Sequence, residues 1–194
     1  MNKKLTSRQI QAQNTQDKIY KVAVDLIQKK GFQNITVDEI CKAAGVSVGS
    51  FYNSFRSKNQ ILDRIFKLAD DYFQDVVAVS IVEGPARDRI VKFFDYYATY
   101  NLERGLDFVK QLYTVKNNLF ATKGRHMQSV LEKVIEEGQQ RGELSTEMTP
   151  NETVIFLFIA VRGVVYDWCL HDGKYDLSKA INSYVTKLLK AIVI

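Results

Sequence analysis

The sequence predicts an all-α protein of about nine helices. Apolar residues recur at intervals of three and four, as in Ile19, Val22, Ala23, Leu26 and Ile27, which is the spacing of one buried helix face. Helix-start signatures precede several such stretches, and no alternating pattern of note indicates a half-buried strand. Of the 194 residues, 46% are hydrophobic and 25% are charged, so the chain has the composition of a folded protein with a sizeable core.

Capping signatures place the helices along the chain. TVDE at residues 36–39 is a capping box, Ser47 is a good N-cap, and TPNE at residues 149–152 combines an N-cap with a proline at the first helical position. Gly31 and Gly45 end the first two helices. After the helix that ends at Gly31, the predicted helices cover about 36–45, 48–55, 57–79, 85–100, 103–113, 119–140, 150–170 and 177–194.

The net charge of +5 is concentrated in the N-terminal third of the chain. Residues 1–60 carry ten Lys or Arg against four acids, whereas the remainder carries seventeen against eighteen. A basic excess of this kind is typical of a segment that binds a polyanion. The sequence therefore favours nucleic acid as a partner of the N-terminal third.

The second and third helices predict a helix-turn-helix over about residues 36–55, whose second helix enters the major groove of DNA. On the third helix, Phe51 and Phe55 fall on one side and anchor it. The other side carries the small and polar residues Gly49, Ser50, Tyr52 and Asn53. These residue types suit DNA, because they allow close backbone approach, hydrogen bonds to base edges and contact with phosphate oxygens.

Residues 31–62, GFQNITVDEICKAAGVSVGSFYNSFRSKNQIL, resemble the DNA-binding signature of the TetR family of bacterial transcriptional regulators. The Thr-Val, Ala-Gly-Val-Ser, Gly-Ser-Phe-Tyr, Phe and Ser-Lys elements match in order and spacing. Carried over by position, the DNA-contacting residues are Thr36, Val48, Ser50, Tyr52, Asn53 and Lys58. Ser47 and Gly49 complete the candidate set, and the chain departs from many members by having Ser54 in place of Tyr or His.

The resemblance also implies a domain organisation and a mode of action. We expect a flexible N-terminal arm at 1–13, a DNA-binding domain at 14–60, and an effector-binding and dimerisation domain at 61–194. A homodimer formed through the last two helices would bind a near-palindromic operator, most simply as a repressor that a small-molecule effector releases. The basic residues of the arm, Lys3, Lys4 and Arg8, either enter a minor groove or remain solvated.

Seventeen of the 22 aromatic residues lie after residue 60. They form either ordinary core or the lining of a pocket for an apolar or aromatic effector, and TetR-like proteins have their effector site in this domain. The candidate lining residues are Phe93, Tyr97, Tyr100, Phe108, Tyr113, Phe156, Arg162 and Tyr166. Arg162 interrupts an apolar helix, so it pairs with an acid such as Asp167 or a partner-chain carboxylate, or it binds an anionic effector.

Other classes of protein find little support in the sequence. His126, His171 and two cysteines provide no zinc-ligand spacing, and there is no nucleophile motif or phosphate-binding glycine loop. We therefore expect no metal, no cofactor and no enzymatic activity; the alternatives are a DNA-binding protein without an effector and a helical enzyme. No secretory signal is visible, and the apolar run 154–161 is shorter than a membrane span, so we expect a cytoplasmic protein.

Overall fold

The computed structural model describes residues 6–113 and 125–194 of the chain. Within these residues the chain forms helices joined by short turns, which confirms the predicted all-α fold class. The chain divides into two compact units, Met1–Lys67 and Leu68–Ile194.

Three helices and the beginning of a fourth form the N-terminal unit. Helix α1 covers Ser7–Lys30, a 3₁₀ turn covers Phe32–Asn34, α2 covers Val37–Ala44, α3 covers Val48–Ser54, and α4 covers Asn59–Tyr72. The core of this unit is apolar, and its fully buried side chains include Ile19, Ile27, Ile40, Phe51 and Ile61.

Helix α1 begins at Ser7, inside the stretch 1–13 that was predicted to be a flexible arm. Thr6 caps it, because its hydroxyl accepts a hydrogen bond from the Gln9 N–H at 3.3 Å and the Gln9 side chain accepts one from the Thr6 N–H at 2.8 Å. Residues 7–14 are all exposed, and even Ile10 is 47% exposed. These turns have no buried face and therefore no apolar periodicity, which is why the sequence pattern missed them. Lys3 and Lys4 lie outside the described residues.

The second unit packs its long helices around one apolar core. After α4 come a π-helical turn at Phe73–Val77, α5 at Ala78–Ser80, α6 at Ala86–Arg104, α7 at Leu106–Leu112, α8 at His126–Gln140, α9 at Pro150–Leu170 and α10 at Leu177–Leu189. Helix α6 packs against α8 and α10, and α9 packs against both α8 and α10. The centre of the core is aromatic and contains Phe73, Phe93, Phe94 and Phe158.

Two helix ends differ from the sequence prediction. Helix α6 continues to Arg104, beyond the predicted end near residue 100, and Gly105, with φ 83°, ends it. Helix α7 therefore begins at Leu106 instead of near residue 103. Helix α10 stops at Leu189 instead of continuing to the C-terminus, because the last residues pair with another strand-like segment. Leu144 and Val193 form an antiparallel bridge, and the Ser145 N–H donates to the Ile192 carbonyl at 2.8 Å.

Helix α9 is apolar on nearly all sides. Of the described helices, it alone is long and apolar enough to cross a membrane by length and composition. Half of its most apolar stretch is buried inside the unit. That degree of burial is also the profile of a core helix in a soluble protein.

Candidate nucleic-acid interface and effector site

The turn between α2 and α3 is built by one glycine. Gly45 has φ 60° and ψ 43°, the left-handed conformation that ends a helix and that glycine adopts without a Cβ penalty. The Val46 N–H then donates to the Cys41 carbonyl at 3.0 Å. This closing bond turns the chain into α3 after only a few residues.

Thr36 and Ser47 cap the two helices of the motif. The Thr36 hydroxyl accepts from the Glu39 N–H at 3.1 Å, and Glu39 accepts from the Thr36 N–H at 2.9 Å, so the predicted capping box is formed. The Ser47 hydroxyl accepts from the Ser50 N–H at 3.1 Å and lies 2.9 Å from the Ser50 hydroxyl. Both candidate residues are exposed, but their hydroxyls already hold helix N-termini.

Helix α3 is fixed by two buried rings and presents the opposite face to solvent. Phe51 is fully buried and Phe55 is 3% exposed, with their ring centroids 5.9 Å apart. Tyr52 is 52% exposed and its ring stands edge-on to that of Phe51. The exposed residues of α3 are Val48, Gly49, Tyr52 and Asn53, and Ser50 is partly buried. The sequence-predicted candidates on α3 thus share one surface.

Gly49 has no local packing reason to be a glycine. It lies inside α3, and a Cβ built there would meet only the Ser47 Oγ, at 3.8 Å, which is ordinary van der Waals contact. Glycine inside a helix costs up to about 1 kcal/mol relative to alanine. The open space in front of Gly49 therefore suits an external surface that comes close to the backbone.

Lys58 bends back onto its own domain. Its Nζ donates to the Phe32 carbonyl at 2.9 Å and to the Ile35 carbonyl at 2.8 Å, and it lies 4.6 Å from the centroid of the Phe32 ring. Partial burial lowers the pKa of Lys58, and the charge of Glu39 opposes this shift. The ammonium group has three donors, so in this conformation at most one of them is left for a phosphate.

Other basic residues of the N-terminal unit are also engaged in ion pairs. Lys30 pairs with Glu39 at 2.9 Å, and Lys29 pairs with Asp25 at 2.8 Å. Arg64 pairs with Asp17. These pairs reduce the charge that the surface can offer to a polyanion. Exposed basic side chains include Lys18, Lys21, Lys42 and Arg56.

A small pocket lies in the second unit at the beginning of α8. It is lined by Tyr97 of α6, Phe158 and Arg162 of α9, and Arg125, Met127 and Gln128. Its volume of about 10 Å³ leaves room for about one water molecule. The lining combines apolar side chains with two guanidinium groups.

Asp70 of α4 links Arg125 to the N-terminus of α8. Its carboxylate accepts hydrogen bonds from Arg125 at 3.2 and 3.4 Å and from the Met127 N–H at 3.2 Å. Asp70 and Arg125 are only 15% and 13% exposed. The side chain of Arg125, the N-cap residue of α8, makes no capping hydrogen bond to that helix, and the carboxylate of Asp70 caps it from another helix instead.

Two tyrosines of the second unit share a hydrogen bond. The Tyr97 and Tyr113 hydroxyls are 2.6 Å apart. Burial raises the pKa of Tyr97, while its hydrogen bond to Tyr113 and the charges of Arg162 and Arg125 act in the opposite direction. Burial likewise raises the pKa of Tyr113 well above its usual value. Both hydroxyls therefore stay protonated at neutral pH.

One face of α9 carries apolar side chains that the unit does not cover. Ile159 is 64% exposed and Leu170 is 63% exposed. Gly163 lies between them, and a Cβ at that position would have no neighbouring side chain within 4 Å. The other exposed large residues on α9 are Ile155, Phe156 and Tyr166, and α10 adds Tyr184.

Within the described residues, no group of three or more His, Cys, Asp or Glu side chains could hold a metal ion.

Comparisons with known proteins agree with this architecture. A family model described as bacterial regulatory proteins of the tetR family matches residues 19–65, and one described as the C-terminal region of YsiA-like proteins matches residues 114–191. The chain belongs to the TetR family. It is a transcriptional regulator whose N-terminal unit holds the family's helix-turn-helix.

Individual relatives of this TetR-family chain cover nearly its whole length. The fatty acid metabolism regulator protein of Bacillus subtilis (strain 168) is 26% identical over 181 residues, which cover 90% of this chain and 93% of the relative. A crystal structure of FadR from Bacillus subtilis with stearoyl-CoA matches with a TM-score of 0.75 at 23% identity, covering 89% of this chain and 96% of that one. The Thermus thermophilus FadR repressor with lauroyl-CoA gives 0.69 at 19% identity, covering 92% and 95%.

The structure separates the effector-site candidates of this TetR-family chain into three groups. Tyr97 and Arg162 line the pocket, and Tyr113 is bonded to Tyr97. Phe93 and Phe108 are buried core residues, and Tyr100 packs on Tyr72 with ring centroids 5.3 Å apart. Phe156 and Tyr166 do not fit the predicted pocket, because they lie on the exposed face of α9 with 36% and 50% of their surface accessible.

Sequence reasoning missed four of the pocket residues: Arg125, Met127, Gln128 and Phe158. An arginine directly before a helix is a recognisable signal, because the helix dipole disfavours a cation there unless something compensates. Phe158 could have been found from Arg162, which lies one turn later on the same face. Asp167 was named as a possible acidic partner of Arg162. In the structure, the Arg162 Nε donates to the Phe158 carbonyl at 3.0 Å, and the Asp167 carboxylate accepts from the Tyr175 hydroxyl at 2.9 Å.

Proposed function

We propose that this protein is an effector-responsive repressor that binds a near-palindromic DNA operator as a homodimer. The observation that carries the proposal is the exposed face of α3, held in place by the buried Phe51 and Phe55. Tyr52 and the helix N-termini would contact phosphates, and Asn53 would reach base edges. One seven-residue helix reads too few base pairs for useful specificity, so a pair of copies is needed.

The exposed apolar face of α9 and α10 supports the dimer. Ile155, Ile159 and Leu170 lie on one face of α9, and Tyr184 extends the face onto α10. A contiguous apolar face of this kind marks a protein contact. Gly163 lets a second helix approach closely, because no neighbouring atom occupies the space in front of it.

We infer that the effector is an amphipathic small molecule of the acyl-CoA class. Two similar solved structures hold stearoyl-CoA and lauroyl-CoA. The lining of the pocket in this chain suits such a molecule, because Met127 and Phe158 offer apolar contact and Arg125 and Arg162 offer positive charge. An acyl chain needs far more room than one water molecule, so the pocket must open when the effector binds.

The mechanism is a shift between two populations of the dimer. Two α3 helices about 34–36 Å apart enter successive major grooves, and an effector that favours another spacing disfavours DNA binding. A coupling of about 1–3 kcal/mol weakens operator affinity by about 5- to 150-fold. The protein acts in the cytoplasm, where the operator is, and has neither an enzymatic activity nor a cofactor.

Selection from random DNA with the purified protein tests the proposal. We expect a palindromic site with half-sites about one helical turn apart, and release of the protein when stearoyl-CoA is added. Binding should fall with salt at a slope of about −5 in log K against log salt, because several phosphates per dimer are neutralised. Failure to enrich any site would contradict DNA recognition.

Two further outcomes separate the alternatives. A palindromic site whose affinity no acyl-CoA changes, together with a second unit that retains no small molecule in native mass spectrometry, would indicate a DNA-binding protein without an effector. Turnover of a bound acyl-CoA would indicate an enzyme instead.

A further inference from the structure

We propose that the ion pair between Asp70 and Arg125 is an anion-operated latch, in which the negatively charged group of an amphipathic effector replaces Asp70 on Arg125. The inference rests on the proposed function, since it concerns how the same pocket recognises its effector. It assigns a positioning role to Asp70 and a ligand-binding role to Arg125.

Two positively charged side chains lie at the pocket. Arg125 and Arg162 both line the pocket, one before α8 and the other on α9. Both are close enough for their charges to act on the Tyr97 hydroxyl. Of the described residues that line the pocket, these two are the only charged ones. Once Asp70 no longer pairs with Arg125, the described wall of the pocket carries two guanidinium charges, so an anionic group fits it better than a neutral or cationic one.

Asp70 and the effector compete for the guanidinium group of Arg125. Asp70 occupies Arg125 through two hydrogen bonds of 3.2 and 3.4 Å. Both side chains are largely buried, so neither is well solvated when its partner leaves. An incoming carboxylate or phosphate can take the place of Asp70, because it offers Arg125 the same planar or multidentate oxygen acceptors.

Asp70 also links Arg125 to the backbone of α8. The Asp70 oxygen that binds Arg125 also accepts the Met127 N–H at 3.2 Å, in the first turn of α8. Displacement of Asp70 therefore removes the hydrogen bonds that join the last turn of α4 to the beginning of α8. Because the pocket has room for about one water molecule, it must widen to admit an effector. Ligand binding and release of the latch are then one event.

The effector chemistry that this site takes is an apolar tail with an anionic group, either a carboxylate or a phosphate. Three probes with the same sixteen-carbon tail distinguish the sources: palmitoyl-CoA, palmitate and the neutral hexadecanol. Their dissociation constants are measured by calorimetry or competition with a fluorescent fatty acid, without DNA. A preference for palmitoyl-CoA over palmitate assigns the site to phosphate, and the reverse preference assigns it to carboxylate.

Substitutions in the latch have opposite expected effects. Asp70→Asn removes the competing charge but keeps an oxygen that can cap α8, so the anionic probes should bind about 5-fold more tightly or better. Arg125→Gln should weaken the same probes by about 5-fold or more, and hexadecanol should be affected by neither. Asp75→Asn, at an exposed acid one turn later, is the matched control and should change nothing.

A double-mutant cycle keeps the test valid if the single variants are less stable. The coupling between Asp70→Asn and Arg125→Gln in thermal unfolding should be present in the free protein and lost with saturating palmitoyl-CoA. Unchanged probe affinity in Asp70→Asn, a coupling that persists in the bound protein, or no binding of either anion to the wild type would overturn the latch. Failure of the proposed function is seen separately, as absence of a selected operator for the wild-type protein.

Discussion

Lys58 and Phe32 are joined twice, since the lysine ammonium donates to the Phe32 carbonyl at 2.9 Å and lies 4.6 Å from the centroid of the Phe32 ring. A second bond to the Ile35 carbonyl fixes the whole turn between α1 and α2. The lysine that the family resemblance assigns to DNA contact therefore also stabilises the turn that precedes the helix-turn-helix. Loss of DNA binding in a Lys58 variant is consequently ambiguous unless stability is measured too.

We predict that Lys58→Met lowers the free energy of unfolding by about 1–3 kcal/mol, because two partly buried carbonyls lose a charged donor. Urea unfolding followed by circular dichroism measures the change. Lys42→Met, at an exposed position on α2, is the control and should stay within about 0.5 kcal/mol of the wild type. Wild-type stability in Lys58→Met would show that the carbonyl bonds contribute little.

The exposed face of α3 gives a second prediction. Tyr52→Phe should weaken binding to all DNA sequences alike, because it removes a phosphate contact, whereas Asn53→Ala should change which base is preferred in each half-site. Affinities for a panel of operator variants measure both effects, and Glu83→Gln in the second unit serves as a control. Unchanged affinity and preference in both α3 variants would exclude this surface as the contact.

Gly138 of α8 is predicted to tolerate no larger residue. A Cβ at this position would lie 2.5 Å from the Ala86 Cβ and 2.8 Å from the Leu144 Cδ1, so α6 and α8 would have to separate. We expect Gly138→Ala to destabilise the protein by about 1–3 kcal/mol in thermal unfolding. Gly163→Ala makes the same change in open space and should stabilise the isolated protomer by up to about 1 kcal/mol.

Ile159→Asp should convert the protein to a monomer without unfolding it. Ile159 is 64% exposed in the single chain, so a charge there costs the protomer little but is buried without a partner in the proposed dimer. Sedimentation velocity measures the association state. Val82→Asp, at a residue 62% exposed outside α9 and α10, is the control and should remain dimeric. A monomeric wild type, or a dimeric Ile159→Asp, would place the contact elsewhere.

Cys169 should be a poorly reactive thiol. Burial raises its pKa to about 11, an effect that the charge of Lys110 opposes. At pH 8 about one molecule in a thousand carries the thiolate, so iodoacetamide should modify Cys169 about two orders of magnitude more slowly than an exposed cysteine. Peptide mass spectrometry distinguishes it from Cys41. Modification at the rate of a free thiol would mean that the site opens.

The raised pKa of Cys169 also makes the stability of the folded protein depend on pH. The folded pKa of Cys169 lies above the usual value of 9.0, so the folded protein holds the proton more tightly than the unfolded chain does. The resulting stabilisation is present below pH 9 and is lost as the pH rises through about 11. Cys169→Ser should flatten this part of the stability curve.

Local signals made the helix-turn-helix predictable, and their absence limited the rest. Thr36 and Gly45 determine where α2 begins and ends, and Ser47 determines where α3 begins, all through contacts within a few residues. In contrast, α9 is apolar on nearly every side, so no periodicity could show that Phe158 faces the pocket while Phe156 faces outward.

Long-range contacts were also invisible to sequence patterns. Nothing near Arg125 in the sequence announces Asp70, which lies 55 positions away. Lys58 reads as an exposed cation, and only the structure shows it turned toward Phe32. Such contacts depend on how distant segments meet, whereas capping and periodicity report only on neighbours along the chain.

The uncovered side of α9 ties the apparent stability of this protein to its abundance. If two copies shield Ile159 and Leu170 from water, unfolding exposes that surface as well, and mass action raises the melting temperature as the protein becomes more concentrated. Dilution would lower the melting temperature and would leave the apolar face of α9 exposed to other proteins. In a cell with few copies of this regulator, its melting temperature would therefore be lower than the value measured in a concentrated laboratory sample.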